Sequence, residues 1–148
     1  MKLVVYFSAS GVTRRKAEAL ASAIGADFHE IIPEKAYTAQ DLDWMDKKSR
    51  SSVEMKDESS RPEIKGGKID LSEYDTVYIG FPIWWGVAPR IINTFIEEND
   101  LKGKRVVIFA TSGGSPLPPA VKDLQRKYPD LDIESGKLLN GRVDGDVI

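Results

Sequence analysis

Apolar residues along this chain fall into short unbroken runs, separated by longer stretches in which they recur periodically. Leu3–Phe7, Val77–Phe81 and Val106–Ala110 are each five residues long and dominated by Val, Ile, Tyr and Phe. Runs this short, without polar alternation, predict central parallel strands buried on both faces. Phe28–Ile32 is a fourth candidate strand, and Leu131–Ile133 with Leu138–Leu139 is a weaker fifth. Between the runs, Ala17, Leu20, Ala21 and Ile24 recur at helical spacing until Gly25 marks a stop. Ile91, Ile92, Phe95 and Ile96 form a second stripe behind Pro89. Val121, Leu124 and Tyr128 form a third, preceded by Pro118 and Pro119 and ended by Pro129. Strands alternating with helices predict an α/β protein with right-handed crossovers and a parallel sheet covered on both faces.

From Pro33 to Gly67 the rhythm breaks. Serines and charges dominate, and Tyr37, Leu42, Trp44, Met45, Val53, Met55 and Ile64 are scattered apolar anchors. Residues 34–67 are therefore expected to form a long excursion with one short helix, in place of a regular second crossover helix. The aromatic anchors are expected to pack onto the body or onto a partner subunit. With no internal repeat and no boundary signal, residues 1–148 are expected to form a single domain.

Composition narrows the chemistry. Of the 148 residues, 41% are hydrophobic and 30% charged, and the formal charge is −2, which argues against nucleic acid or an anionic membrane as main partner. The chain has no cysteine, excluding disulfides, thiolate nucleophiles, iron–sulfur clusters and cysteine-based zinc sites. No run approaches transmembrane length and no signal-peptide pattern is visible, so a cytoplasmic location is the expectation. His29 stands without a nearby Asp/Ser or second His and is read as structural or surface; no arrangement supports hydrolysis. Arg14, Arg15 and Lys16 read as solvated helix charges, with Arg14 able to reach a nearby anion. Asp41, Asp43 and Asp46 lack the Gly and terminal Glu of a calcium loop, so no metal site is expected.

Ligands of open parallel sheets bind at the carboxyl ends of the strands, where the chain order reverses. Three loops follow the three strong strands. Ser8, Ala9, Ser10, Gly11, Val12 and Thr13 combine small residues and hydroxyls with the start of a helix, which suits a phosphate group. The loop lacks both the Walker pattern and Gly-x-Gly-x-x-Gly, which points to a monophosphate rather than ATP or a dinucleotide. Taken alone, a hydroxyl-capped helix start without a ligand is the lesser alternative. Pro82, Ile83, Trp84, Trp85 and Gly86 offer two adjacent indoles to a planar ligand, although one of the pair is expected to pack in the core. Thr111, Ser112, Gly113, Gly114 and Ser115 can present backbone amides to a ligand's polar edge, and are also an ordinary turn composition.

The run from Val4 through Ser8-Ala9-Ser10-Gly11-Val12-Thr13, the run Gly80–Pro89 and the run Phe109–Ser115 together resemble the flavodoxin family. The likeness is to its short bacterial members in particular. Tyr37–Trp44, Ser49–Met55 and Leu138-Leu139-Asn140-Gly141 extend that likeness over essentially the whole chain. It implies a flavodoxin-like three-layer α/β/α sandwich with a five-stranded parallel sheet in order 2-1-3-4-5. It also implies FMN as cofactor: Ser8–Thr13 would hold the phosphate, Pro82–Gly86 the isoalloxazine and Thr111–Ser115 the ring edge. Ser10 and Val12 depart from the family's usual Ser-x-Thr-Gly-Asn-Thr. Pro116, Pro118 and Pro119 stiffen a segment that is usually richer in glycine. No helical pattern follows Val143-Asp144-Gly145-Asp146 up to Ile148, where relatives carry a closing helix; a partner covering that face is one alternative.

The implied function is a redox protein that transfers electrons through bound flavin, with a partner protein or a small electron donor or acceptor. The alternatives are an NAD(P)H-dependent quinone-type reductase and a non-catalytic flavin-binding module. The small net charge gives little steering toward basic partners. No catalytic side chain is assigned, and a homodimer is left open.

Overall fold

Five parallel strands make one sheet: β1 (Lys2–Tyr6), β2 (Asp27–Glu30), β3 (Thr76–Pro82), β4 (Arg105–Thr111) and β5 (Asp132–Leu138), in spatial order β2-β1-β3-β4-β5. The structure, a computed structural model, describes residues 1–9, 11–112 and 114–139. Ser10, Gly113 and residues 140–148 lie outside them, and with these the reading of Asn140-Gly141 and of a closing helix. Four helices are interleaved: α1 (Val12–Ile24), α2 (Arg50–Lys56), α3 (Arg90–Glu98) and α4 (Pro118–Lys127). The α/β class and the strand order follow the expectation.

Strand alternation sorts side chains into two cores. Leu3, Val5 and Phe7 share one face with Val77, Ile79, Phe81, Val106 and Ile108, beneath the apolar stripes of α3 and α4. Val4, Tyr6, Tyr78, Val107 and Phe109 share the other with Ala17, Leu20 and Ala21 of α1. Because both faces are covered, β1, β3 and β4 are apolar without interruption. Each large aliphatic side chain so buried contributes roughly 1.5–3 kcal/mol against exposure. Gly25 ends α1 with φ 67°, its amide bonding the Ala21 carbonyl. Among the described residues no helix is long and apolar enough to cross a membrane.

Residues 34–67 carry α2, capped by Ser49, whose Oγ accepts the Ser52 amide. Its base closes where Pro33 bridges Ile64, with Lys65 N–H on the Ile32 carbonyl at 2.7 Å. The buried Arg90 Nη2 donates to the Met55 carbonyl at 2.8 Å, tying the end of α2 to the start of α3. Tyr37, Met55 and Ile64 pack inward, but Trp44 and Met45 do not: they are 70% and 75% exposed. The anchoring expected of those two on the body is therefore not met within the chain. Loop 38–48 is held instead by its own polar turns, such as the Thr38 amide on Asp41 Oδ2 at 3.0 Å.

Gly80 has no room for a side chain, because a Cβ there would stand 2.0 Å from the ring of Phe109, which is fully buried. Gly80→Ala should cost about 2 kcal/mol of stability by overpacking. In urea the unfolding midpoint should fall with unchanged slope, and adding Phe109→Leu should recover part of the loss. An unaffected midpoint for the single variant would show that the ring has room to move.

Candidate functional site

The carboxyl ends of β1, β3 and β4 are neighbours, since Tyr6 pairs with Gly80 and Pro82 with Thr111. The loops leaving them meet along one edge. Gly11 begins α1 at φ 92° and offers no side-chain cap, so among the described residues the first-turn amides are left for solvent or a ligand. Ser8 Oγ accepts the Gly11 amide at 3.0 Å, folding the loop back on itself while keeping its own O–H to donate. Thr13 differs from its expected role as an anion donor: it is buried, and its hydroxyl meets that of Thr111 at 2.8 Å. Val12 is half exposed at the helix start.

The third loop also differs from the expectation. The amides of Gly114 and Ser115, read as donors to a ligand, both turn onto Ser112 Oγ, at 3.0 and 2.6 Å. A serine hydroxyl has two lone pairs, and this short turn brings both N–H groups within its reach. Ser10 and Gly113 lie outside the described residues.

The aromatic loop is a tight hairpin in which Trp84 and Val87 exchange both backbone hydrogen bonds at 3.0 Å. Trp85 and Gly86 between them have φ of 50° and 79°, both left-handed. Such a turn suits its twist to the flanking chain, and Asn or Gly usually fills it; a tryptophan there is strained. The Ile83 amide bonds the Thr111 carbonyl at 3.0 Å, locking this loop to the third. As expected, the two indoles diverge. Trp84 packs edge-on against Phe7 (5.7 Å between centroids) and Tyr37 (5.6 Å), whereas Trp85 is 52% exposed. Trp44, Ile83, Trp84 and Trp85 line a cleft of about 400 Å3, within the range of small-molecule sites.

Several residues at this edge escaped the sequence reading. Tyr37 carries the Arg50 guanidinium over its ring at 3.8 Å and donates its hydroxyl to Glu54 at 2.5 Å; Arg50 in turn pairs with Glu54 at 2.9 Å. The Arg50–Glu54 spacing of i, i+4 was a visible signal, but its closure on Tyr37 was not. Arg14 turns to Glu18 at 3.1 Å and Glu30 at 3.9 Å. Arg15 has a guanidinium nitrogen 3.6 Å from where a Cβ on Gly11 would lie, putting a cation beside the first loop. That contact is a helical i, i+4 neighbourhood that could have been read. His29 is half-buried on β2, and burial lowers its pKa, in keeping with a structural role. Among the described residues no group of three or more His, Asp or Glu could hold a metal.

Fold and edge define an α/β protein whose strand-end loops meet along one line, and sequence and structural relatives give it a family. The chain belongs to the flavodoxin family, whose sequence profile, described as "Flavodoxin", matches residues 1–148. It is similar to a candidate flavoprotein of Bacteroides uniformis, at 56% identity and TM-score 0.95 over 99% of this chain and 94% of that one. A second, from Bacteroides eggerthii, is 55% identical with TM-score 0.94 over 98% and 91%. A flavoprotein of Lactobacillus acidophilus, solved in complex with FMN, is 25% identical with TM-score 0.74 over 93% and 91%. No curated protein sequence matches the chain.

The two indoles should separate in stability measurements. Trp84→Ala removes a ring packed on Phe7 and Tyr37 and should cost about 2–3 kcal/mol. Trp85→Gly should stay within about 0.5 kcal/mol of the parent, relief of left-handed strain offsetting lost contacts and added chain entropy. Equal losses in chemical denaturation would refute the strain.

Tyrosines give the pH dependence. Burial, and then the charge of Glu30, push Tyr6 up to about 12; burial and the bond to Glu97 push Tyr128 up to about 12. Burial, then the bond to Glu54, raises Tyr37. The folded state thus favours the neutral phenols. The contribution of Tyr6 and Tyr128 is complete below the unfolded tyrosine pKa, near 10, and is lost as pH rises through about 12. Denaturation midpoints should hold below pH 10 and then fall; a midpoint that is flat up to pH 12 would contradict this.

Proposed function

We propose that this edge binds FMN and that the protein exchanges electrons through it. The reading rests chiefly on one observation. The three strand-end loops are tied into a single edge by the Thr13–Thr111 and Ile83–Thr111 hydrogen bonds, with an anion-suited helix start at one end and an indole-lined cleft at the other. A molecule with a phosphate at one end and a flat ring at the other suits such an edge. The related Lactobacillus flavoprotein, solved with FMN, supports the same choice.

In this reading the phosphate lies in Ser8, Ala9, Ser10, Gly11, Val12 and Thr13. The first-turn amides and the Ser8 hydroxyl donate, and Arg15 supplies charge. Val12 offers only its amide, so the backbone carries the recognition. Pro82, Ile83, Trp84, Trp85 and Gly86 hold the isoalloxazine, with Trp85 presented to its face. Trp84 acts beneath, its packing on Phe7 and Tyr37 fixing the loop. Thr111, Ser112, Gly113, Gly114 and Ser115 meet the ring's polar edge, the Gly114 and Ser115 amides exchanging Ser112 Oγ for ring acceptors. Bound flavin would supply one- or two-electron chemistry, while the loops set its potential through stacking and hydrogen bonds. The net charge of −2 gives weak steering toward a basic protein, which favours a small electron donor or acceptor as the partner.

FMN titrated into the protein should quench the fluorescence of its three tryptophans at micromolar concentration. Trp84→Ala and Trp85→Ala should each weaken binding by about tenfold, the worth of one aromatic contact. Absence of quenching in the parent protein would overturn the assignment.

A further inference from the structure

A second cleft, of about 380 Å3, adjoins the first and shares Trp44 and Trp85 with it; Met45, Lys47, Ser52 and Lys56 complete its lining. We propose that this second cleft docks a small planar aromatic anion. That ligand class deepens the electron-exchange reading, and rests on it only for the reason such a molecule would visit; the binding itself does not require flavin.

Three observations carry the assignment. The first is apolar exposure: Trp44, Met45 and Trp85 are 70%, 75% and 52% exposed, together on one face. A clustered patch of this kind, rimmed by polar groups, marks an interaction site. The second is strain. Trp85 is held in the left-handed region at a hairpin tip, a conformation that sustains the display of its ring and does nothing evident for packing.

The third is charge. The only ionisable groups in the lining are Lys47 and Lys56, and neither has an ion-pair partner among the described residues. Lys56 lies in the last turn of α2, where a cation usually serves the terminal carbonyls. Here those carbonyls already have Arg90, which donates to Met55 O at 2.8 Å and to Glu54 O at 3.4 Å. The neighbouring carboxylates have local partners of their own: Asp43 accepts the Met45 amide at 3.1 Å and Asp46 the Lys48 amide at 2.9 Å. Two cations sharing a cleft with two indoles favour an aromatic acid over a neutral ring.

The test is calorimetric titration of the FMN-saturated and FMN-free protein with 2-naphthalenesulfonate and with neutral 2-naphthalenemethanol. The sulfonate should bind roughly five- to tenfold more tightly at low salt, the combined worth of two exposed cations. Lys47→Gln with Lys56→Gln should abolish that preference, and Trp44→Ala should weaken both probes about tenfold. FMN should remain bound to the parent protein and to the double lysine variant. Equal affinities for the two probes, or release of FMN by the sulfonate, would overturn the proposal. So would sedimentation showing a dimer that excludes the probe, because a second copy would then be the occupant. Sulfonate binding without FMN binding would remove the flavin reading alone; FMN binding without sulfonate binding would remove this inference alone.

Discussion

Burial of β1, β3 and β4 on both faces is the constraint from which the rest of this molecule follows. A parallel strand with a core above and another below has no polar side chain to spend, so its chemistry must wait for the loop that follows. Three such strands in adjacent register bring three loops to one line, and the spacing of that line is then the spacing of the sheet. The Thr13–Thr111 bond and the Ile83–Thr111 bond add little energy individually, about 1 kcal/mol each. Their effect is geometric, removing the freedom that three independent loops would have.

The excursion replaces a crossover helix with a different kind of fastening. A seven-residue helix is too short to hold itself. It is held by the buried Arg90, bonded to main-chain carbonyls, and by the stack of Arg50 on Tyr37 closed by Glu54. Tyr37 is also one corner of the Phe7–Trp84 aromatic cluster. The excursion is thereby coupled to the hairpin that carries Trp85, and a change in either is felt by both.

Much of this was legible in residue order alone. Unbroken Val/Ile/Tyr/Phe runs and 3.6-residue stripes suffice for strand and helix placement, because burial on two faces or one leaves a period that composition cannot hide. The three loops were legible for the same reason, as the small and aromatic residues left over at strand ends. What the order concealed was which partner each polar atom takes. A hydroxyl such as Thr13 Oγ1 can face a ligand or another hydroxyl, and the choice depends on Thr111, 98 positions away. Trp44 likewise carries the signature of an anchor; its exposure follows from loop 38–48 satisfying itself with its own turns, which no periodicity records.

Trp85 brings these threads to one residue. A hairpin with two left-handed positions asks for Asn or Gly at each, and Gly86 complies while Trp85 does not. Strain of this kind, of order 1–3 kcal/mol, persists only where the surroundings over-determine it. Here they do: Trp84 is pinned in the aromatic cluster on one side, and Val87 exchanges both main-chain hydrogen bonds with it on the other. The turn between them must close in two residues, and the indole is forced outward. The rigid sheet edge therefore does more than locate the site: it holds an aromatic surface facing solvent between two clefts, where packing alone would have drawn it in.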